Sequence, residues 1–199
     1  ISGEQEGRLA LLSAVESLAL TGSIAVADIG GGSVEIVRAS GREMERVVSL
    51  PLGAVVLSDR FRPADPMPKR EYRDLGRYVR TTLASALPEG GEPPAAFVGS
   101  GGTVTTLAAI IAAERNPGLA SMHGFEISRA ELKPLRERLA RTTAKERAAI
   151  KGMSDGRVDL IVAGAVVLVA AGLPYKLSLV TASLAGIAAG VAAERLHGR

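Results

Sequence analysis

An α/β domain is predicted by three features of this 199-residue chain. Short apolar runs bounded by glycine turns alternate with segments of helical periodicity. Two of those runs end in glycine-rich loops, "DIGGGS" at 28–33 and "GSGGT" at 99–103, and the second opens directly into a helical pattern. Finally, 47% of the residues are hydrophobic and no low-complexity block interrupts them, which suffices for the core of one large domain or two small ones.

Leu9, Leu12 and Val15, with Leu11 and Leu18 beside them, form one broad apolar face, so residues 5–20 read as an amphipathic helix stopped at Thr21-Gly22. "SIAVADI", "SVEIVRA" and "REMERVVSL" read as three strands of a meander. "PLGAVVLSDRF" predicts a short helix, followed by the Pro-broken loop "RPADPMPK", a helix over 70–87 and the loop "PEGGEPP". The second half repeats this plan without an exact repeat: a short strand, a glycine turn, and a helix from about Thr103 to Asn116-Pro117. Ser128 with Glu131 and Thr143 with Glu146 have capping-box spacing and mark two further helix starts. An apolar helix over 157–173, a strand in "YKLSLVT" and a last helix in "SLAGIAAGVAAERL" complete the order.

Composition removes several classes of function. Without Cys there is no disulfide framework, thiolate nucleophile or zinc-finger site, so a metal would rest on carboxylates, hydroxyls, carbonyls or the two histidines. A net charge of +3, arginines spread without a basic run, and only 3% aromatic residues suit a small anion or a polyanion better than stacked bases, and no nucleic-acid partner is expected. The longest apolar stretch, "LIVAGAVVLVAAGL", falls short of the roughly 20 residues that cross a bilayer and reads as a buried helix. With no signal peptide, a cytoplasmic protein is expected. His123 reads as an ordinary loop residue and His197 as solvated. Arg70, Arg73, Arg77 and Arg80 recur at helical spacing beside Glu71 and Asp74, the pattern of a solvated face that could also guide a polyanion.

The glycine loops carry the chemistry. Glycine permits positive φ and removes the Cβ, so successive N–H groups can turn toward one anion, phosphate above all. Asp28 stands at a strand end, where it can hold a divalent metal or a water; Ser33 adds a hydroxyl, and Glu35, on the same strand face as Ser33, can return to the site. A tight hairpin with two solvated carboxylates is the alternative. "GSGGT" adds the N–H groups of a helix start, although a simple strand-to-helix turn favours the same residues.

Together, "ISGEQEGRL" at 1–9, "DIGGGSVE" at 28–35, "GSGGT", "HGFEISRAEL" and "ERAAIKGMSDGRVDLIVAG" resemble the exopolyphosphatase and guanosine pentaphosphate phosphatase family, in order and over essentially the whole chain. The resemblance implies an actin-like (ribonuclease H-like) α/β fold, with a mixed central sheet and helices on both faces. It implies hydrolysis of the terminal phosphoanhydride of polyphosphate, or of guanosine pentaphosphate to the tetraphosphate, with Mg²⁺. By position it assigns Glu6 as catalytic base, Asp28 and Glu35 to metal or attacking water, and Gly30, Gly31, Gly32 and Ser33 to one phosphate loop. Gly101, Gly102 and Thr103 match the other phosphate loop. On the residues alone, Glu6 reads as a first-turn carboxylate favoured by the helix dipole, and only the resemblance makes it a catalytic base.

The chain departs from the family pattern at three places. Gln5 stands where the family usually has a Glu. "GIAAG" at 186–190 carries Ala188 where the family has an Arg. The family's first actin-like domain, which forms the other wall of the cleft, has no counterpart in 1–199, and Ile1 falls at the catalytic-helix motif without an initiator Met. The expectation is a single C-terminal domain of a longer two-domain protein, with residues 1–20 at the domain interface and possible dimerisation through apolar helices. The alternatives are a non-catalytic nucleotide- or alarmone-binding module and a kinase- or chaperone-like branch of the same fold.

Overall fold

The predicted meander forms as three antiparallel strands: β1 (Ser23–Ile29), β2 (Val34–Ser40) and β3 (Glu43–Leu50). This computed structural model describes residues 1–61, 64–87, 92–115, 122–172, 179–182, 192, 194 and 195. Parallel to β1 runs β4 (Ala96–Ser100); β6 (Leu179–Ala182) runs parallel to β4, and β5 (Phe125–Ser128) closes the far edge antiparallel. The order β3-β2-β1-β4-β6-β5 is the expected mixed sheet. Paired on both sides, β1 buries every residue but Ser23 and Asp28, as a central strand covered on both faces must. Its counterpart at the edge, β3, exposes Glu43, Glu45 and Arg46, charges that discourage further strand addition.

Helices lie on both faces. On one, α1 (Gly3–Leu18) packs Ala10, Leu11, Ala14 and Val15 against Ile24, Val26, Val37 and Val98. The other face, with Ala25, Ala27, Ile29 and Ile36, meets a larger core. That core is built from α2 (Ala54–Phe61), α3 (Lys69–Ala86), α4 (Gly102–Arg115), α5 (Arg129–Arg141) and α7 (Ile161–Gly172), with the short α6 (Ala144–Ala148) linking the last two. Nearly all of α7 is buried, as its uninterrupted apolar sequence predicts. Among the described residues no helix is long and apolar enough to cross a membrane.

Of the boundaries that differ from expectation, two have a physical reason in the backbone. The first helix stops at Leu18 because Ala19 turns left-handed (φ 50°) and returns its N–H to Val15, before the glycine that marks the stop in the sequence. The apolar helix begins at Ile161, preceded by a 3-10 turn at Asp155–Arg157. There the Val158 carbonyl accepts from Arg147 Nε at 2.8 Å and is drawn out of an α-helical ladder. Arg147 is buried, and its guanidinium also bonds the Thr142 carbonyl (2.5 Å) and pairs with Asp65 (3.0 Å). Residues 62–63 and 88–91 of the expected loops, the helix end at 116–117, the start of the last strand, most of 183–196, Ala188 and His197 lie outside the described residues.

Both predicted capping boxes form. The Glu131 carboxylate accepts from the Ser128 N–H at 3.0 Å and from Arg115 Nε at 2.6 Å, and the Arg115 bond, first among its causes, lowers its pKa to about 2. A depressed folded pKa means stability that is present above the ordinary carboxylate range and lost as pH falls. Glu131→Ala is expected to cost about 1 kcal/mol in urea unfolding at neutral pH, with the difference from wild type shrinking as pH falls toward about 2.

Candidate active site

Strand register alone sets four polar side chains in a row. Ser49 pairs with Glu35, Glu35 with Asp28, and Asp28 with Ser100, across β3, β2, β1 and β4. Partners directly opposite in a ladder project from one face. Val26, Val37 and Val98, each two residues from Asp28, Glu35 and Ser100 respectively on the same strand, show that this is the face α1 covers. The row therefore crosses the sheet where β1 and β4 end, a place where open α/β sheets bind ligands.

Hydroxyls hold the two acids. Ser100 Oγ donates to Asp28 Oδ1 at 2.7 Å, and Ser49 Oγ donates to Glu35 Oε1 at 2.7 Å. Burial raises the Asp28 pKa against the Ser100 bond. Burial likewise raises that of Glu35, opposed by hydrogen bonds from Ser49 and Ser33 and reinforced by the negative charges of Glu6 and Asp28. Of the three acids singled out in the sequence, Glu35 is thus the common neighbour, with Asp28 opposite it in the ladder and Glu6 within electrostatic reach. No described cation neutralises them.

Glu6 reaches this group because α1 lies unusually close to the sheet. A Cβ on Gly7 would stand 2.7 Å from Val47 Cγ2 and 3.1 Å from Val37 Cγ2, and Gly3, one turn earlier, approaches Ser49 and Glu35. Glycines four apart on one helix face let its backbone settle onto β2 and β3. Glu6 is half-buried; its backbone N–H bonds the Ser2 carbonyl at 2.9 Å, and no described partner holds its carboxylate. Gln5 closes the first capping box: its Oε1 accepts from the Ser2 N–H at 2.8 Å and its own N–H bonds Ser2 Oγ at 3.2 Å. Either Glu or Gln fills that role, which gives the departure at position 5 a structural explanation.

The first glycine loop has two working sides. Its carbonyls cap α2: Ala54 N–H bonds Gly30 O and Val55 N–H bonds Gly31 O, each at 3.0 Å, and Gly53 N–H bonds Gly32 O at 3.3 Å. Gly30 N–H closes the turn on Ser33 O, while no described backbone acceptor takes the N–H of Gly31, Gly32 or Ser33. None of the three glycines is left-handed, so positive φ is not why glycine stands there. A Cβ on Gly32 would meet nothing within 4 Å, and this end of the loop is open to a ligand. The Ser33 hydroxyl turns to Glu35.

The second loop lies against the first. Gly101 adopts φ +93°, and a Cβ there would collide with the Ile29 carbonyl and stand 3.2 Å from Asp28 Oδ1. Gly102 begins α4, and Thr103 follows fully buried, its hydroxyl turned against Gly164 of α7 without a described partner. Thr103 therefore cannot offer an anion its side chain. Sequence reasoning missed Arg157, whose guanidinium covers Gly102: a Cβ there would stand 2.5 Å from its Cζ. A cation against the positive end of a helix is unfavourable until an anion lies between them. Ser49 and Ser100 were also missed as holders of the acids. Ser100 sits inside the quoted "GSGGT", but its contact with Asp28 spans 72 residues.

A family model described as "Ppx/GppA phosphatase family" matches residues 1–198. The chain is similar to "Exopolyphosphatase 2" of Mycobacterium tuberculosis, with 35% identity over 170 residues that cover 84% of this chain and 53% of that protein. It is also similar to "Exopolyphosphatase 1" of Mycobacterium bovis, with 34% identity over 175 residues, 84% of this chain and 49% of that one. The chain spans about half the length of these curated relatives. The crystal structure of the Aquifex aeolicus member of the Ppx/GppA family matches with TM-score 0.88 and 28% identity, covering 99% of this chain and 63% of the other. The fold is the actin-like one that the sequence resemblance implied.

Carboxyls with raised folded pKa contribute stability that is complete below 3.8 for Asp28 and 4.5 for Glu35, and is lost as pH rises through their folded values. Without metal, Asp28→Asn and Glu35→Gln, which keep an acceptor for Ser100 and Ser49, are expected to raise the melting temperature at neutral pH by a few degrees, at about 2–4 °C per kcal/mol for this chain length. The gain vanishes at acid pH. An unchanged or lowered melting temperature at neutral pH contradicts the buried-charge account.

Proposed function

This chain belongs to the Ppx/GppA phosphatase family, and from that premise we propose that the full-length protein removes the terminal phosphate of inorganic polyphosphate or guanosine pentaphosphate by attack of water. Residues 1–199 supply one wall of the cleft, and an N-terminal domain of the same protein supplies the other. The single observation that carries this reading is the meeting of Glu6, Asp28 and Glu35 beside two loops with unengaged N–H groups. The relatives named exopolyphosphatases support polyphosphate as substrate.

The hydrogen bonds divide the labour. Serines fix Asp28 and Glu35, whereas Glu6 has no such restraint and is free to turn toward a water and take its proton, as a general base must. On this reading the N–H groups of Gly31, Gly32 and Ser33, with Arg157 over Gly102 at the start of α4, are the donors that would meet a terminal phosphate. Phosphoryl transfer asks for positioning and charge neutralisation more than covalent work. Mg²⁺ suits this acid pair. Both carboxylates are desolvated, and no described cation pairs with them. Such a site fits an ion bound by one or two carboxylates together with substrate phosphate. Asp28 and Glu35 would hold Mg²⁺, which would neutralise charge on the phosphate oxygens.

Phosphate release from long-chain polyphosphate and from guanosine pentaphosphate, with Mg²⁺, tests the proposal on the full-length protein. Glu6→Gln is expected to lower turnover about 10²–10⁴-fold with substrate affinity kept; turnover at the wild-type level removes Glu6 from the base role. Mg²⁺ should raise the melting temperature of the wild type but not of the Asp28→Asn/Glu35→Gln double variant. Robust hydrolysis by residues 1–199 alone would overturn the requirement for a second wall.

A further inference from the structure

Between α3 and α5, on the sheet face opposite α1, two hollows of about 300 and 190 Å³ adjoin through Tyr72 and Arg73. Their walls carry Lys69, Arg73, Arg77, Arg80, Arg136 and Arg141 against a single acid, Glu137. Arg73, Arg77 and Arg80 stand four and three residues apart, on one side of α3. Asp74 engages Arg77 at 3.3 Å, but no described acid pairs with Arg73 or Arg80. From α5, Arg136 lies over the Tyr72 ring, 5.5 Å from its centroid, and its buried Nε finds no described acceptor. Six cations facing one shallow trough repel one another and concentrate anions.

We propose that this trough is a second anion site that holds an extended phosphate chain outside the candidate active site. The shape is a furrow along a helix, matched to a linear polyanion rather than to one phosphate. Its single aromatic ring has one face under Arg136, so the trough offers little for stacking successive bases. The trough shares no lining residue with the glycine loops, so on this proposal a long chain gains contacts there that a short substrate seated at the loops lacks. Naming a phosphate chain as the ligand rests on the phosphohydrolase reading above.

The test is equilibrium binding of fluorescently labelled long-chain polyphosphate and of tripolyphosphate to the full-length protein, over a range of salt, with divalent metal chelated and chain length checked afterwards. In the Arg73→Ala/Arg77→Ala/Arg80→Ala variant the dissociation constant for the long chain should rise about tenfold or more, with a shallower salt dependence, while tripolyphosphate affinity is unchanged. In turnover, KM for the long chain rises and kcat stays. Unchanged long-chain affinity, or equal losses for both lengths, overturns the proposal. Duplex DNA bound as tightly as polyphosphate, and released by the same substitutions, would make the trough a nucleic-acid surface and overturn it too. Because binding is read without hydrolysis, absence of phosphate release from every substrate would count against the proposed reaction and leave the binding result standing.

Discussion

The site is organised by the burial of two carboxylates side by side at the centre of a sheet. Asp28 and Glu35 face each other across a strand pair, drawn partly out of water. Charged groups in that position cost free energy unless they are hydrogen-bonded and neutralised. Ser100 and Ser49 provide the hydrogen bonds, and their place in the same register row ties the two flanking strands to the acids. No described side chain supplies the neutralisation, so the pair remains a concentration of buried negative charge.

The same economy of space explains α1. A helix with ordinary side chains at positions 3 and 7 would ride higher on β2 and β3 and carry Glu6 away from Glu35. Two missing side chains, one turn apart, convert a packing contact into a functional distance. The capping box at Ser2 and Gln5 then anchors the start of the helix, so the turn that presents Glu6 does not fray.

Much of the fold was legible in the sequence because its signals are local. Glycine turns marked the meander, and Ser/Glu and Thr/Glu spacings marked α5 and α6. Boundaries failed where a distant partner intervened: Arg147 reaches the Val158 carbonyl across 11 residues and delays α7. The site divides in the same way. Asp28 and Glu35 could be related because one hairpin joins them, whereas Glu6 gained its role only from the family resemblance. Arg157 was invisible because its neighbour, Gly102, lies on another element. Thr103 matched the loop pattern, but helix packing against Gly164 decides where its hydroxyl points, and no local pattern reports that.

The bonds from α2 to the first glycine loop have a thermodynamic consequence. A triglycine segment is ordinarily the most mobile part of a chain, and fixing it on a ligand would erode affinity. Here the carbonyl of each glycine is already committed to a neighbouring N–H, so every peptide plane in the segment is oriented when the domain folds. The entropy is lost in folding, and the dipoles of the segment would need no reorganisation for an anion placed against them.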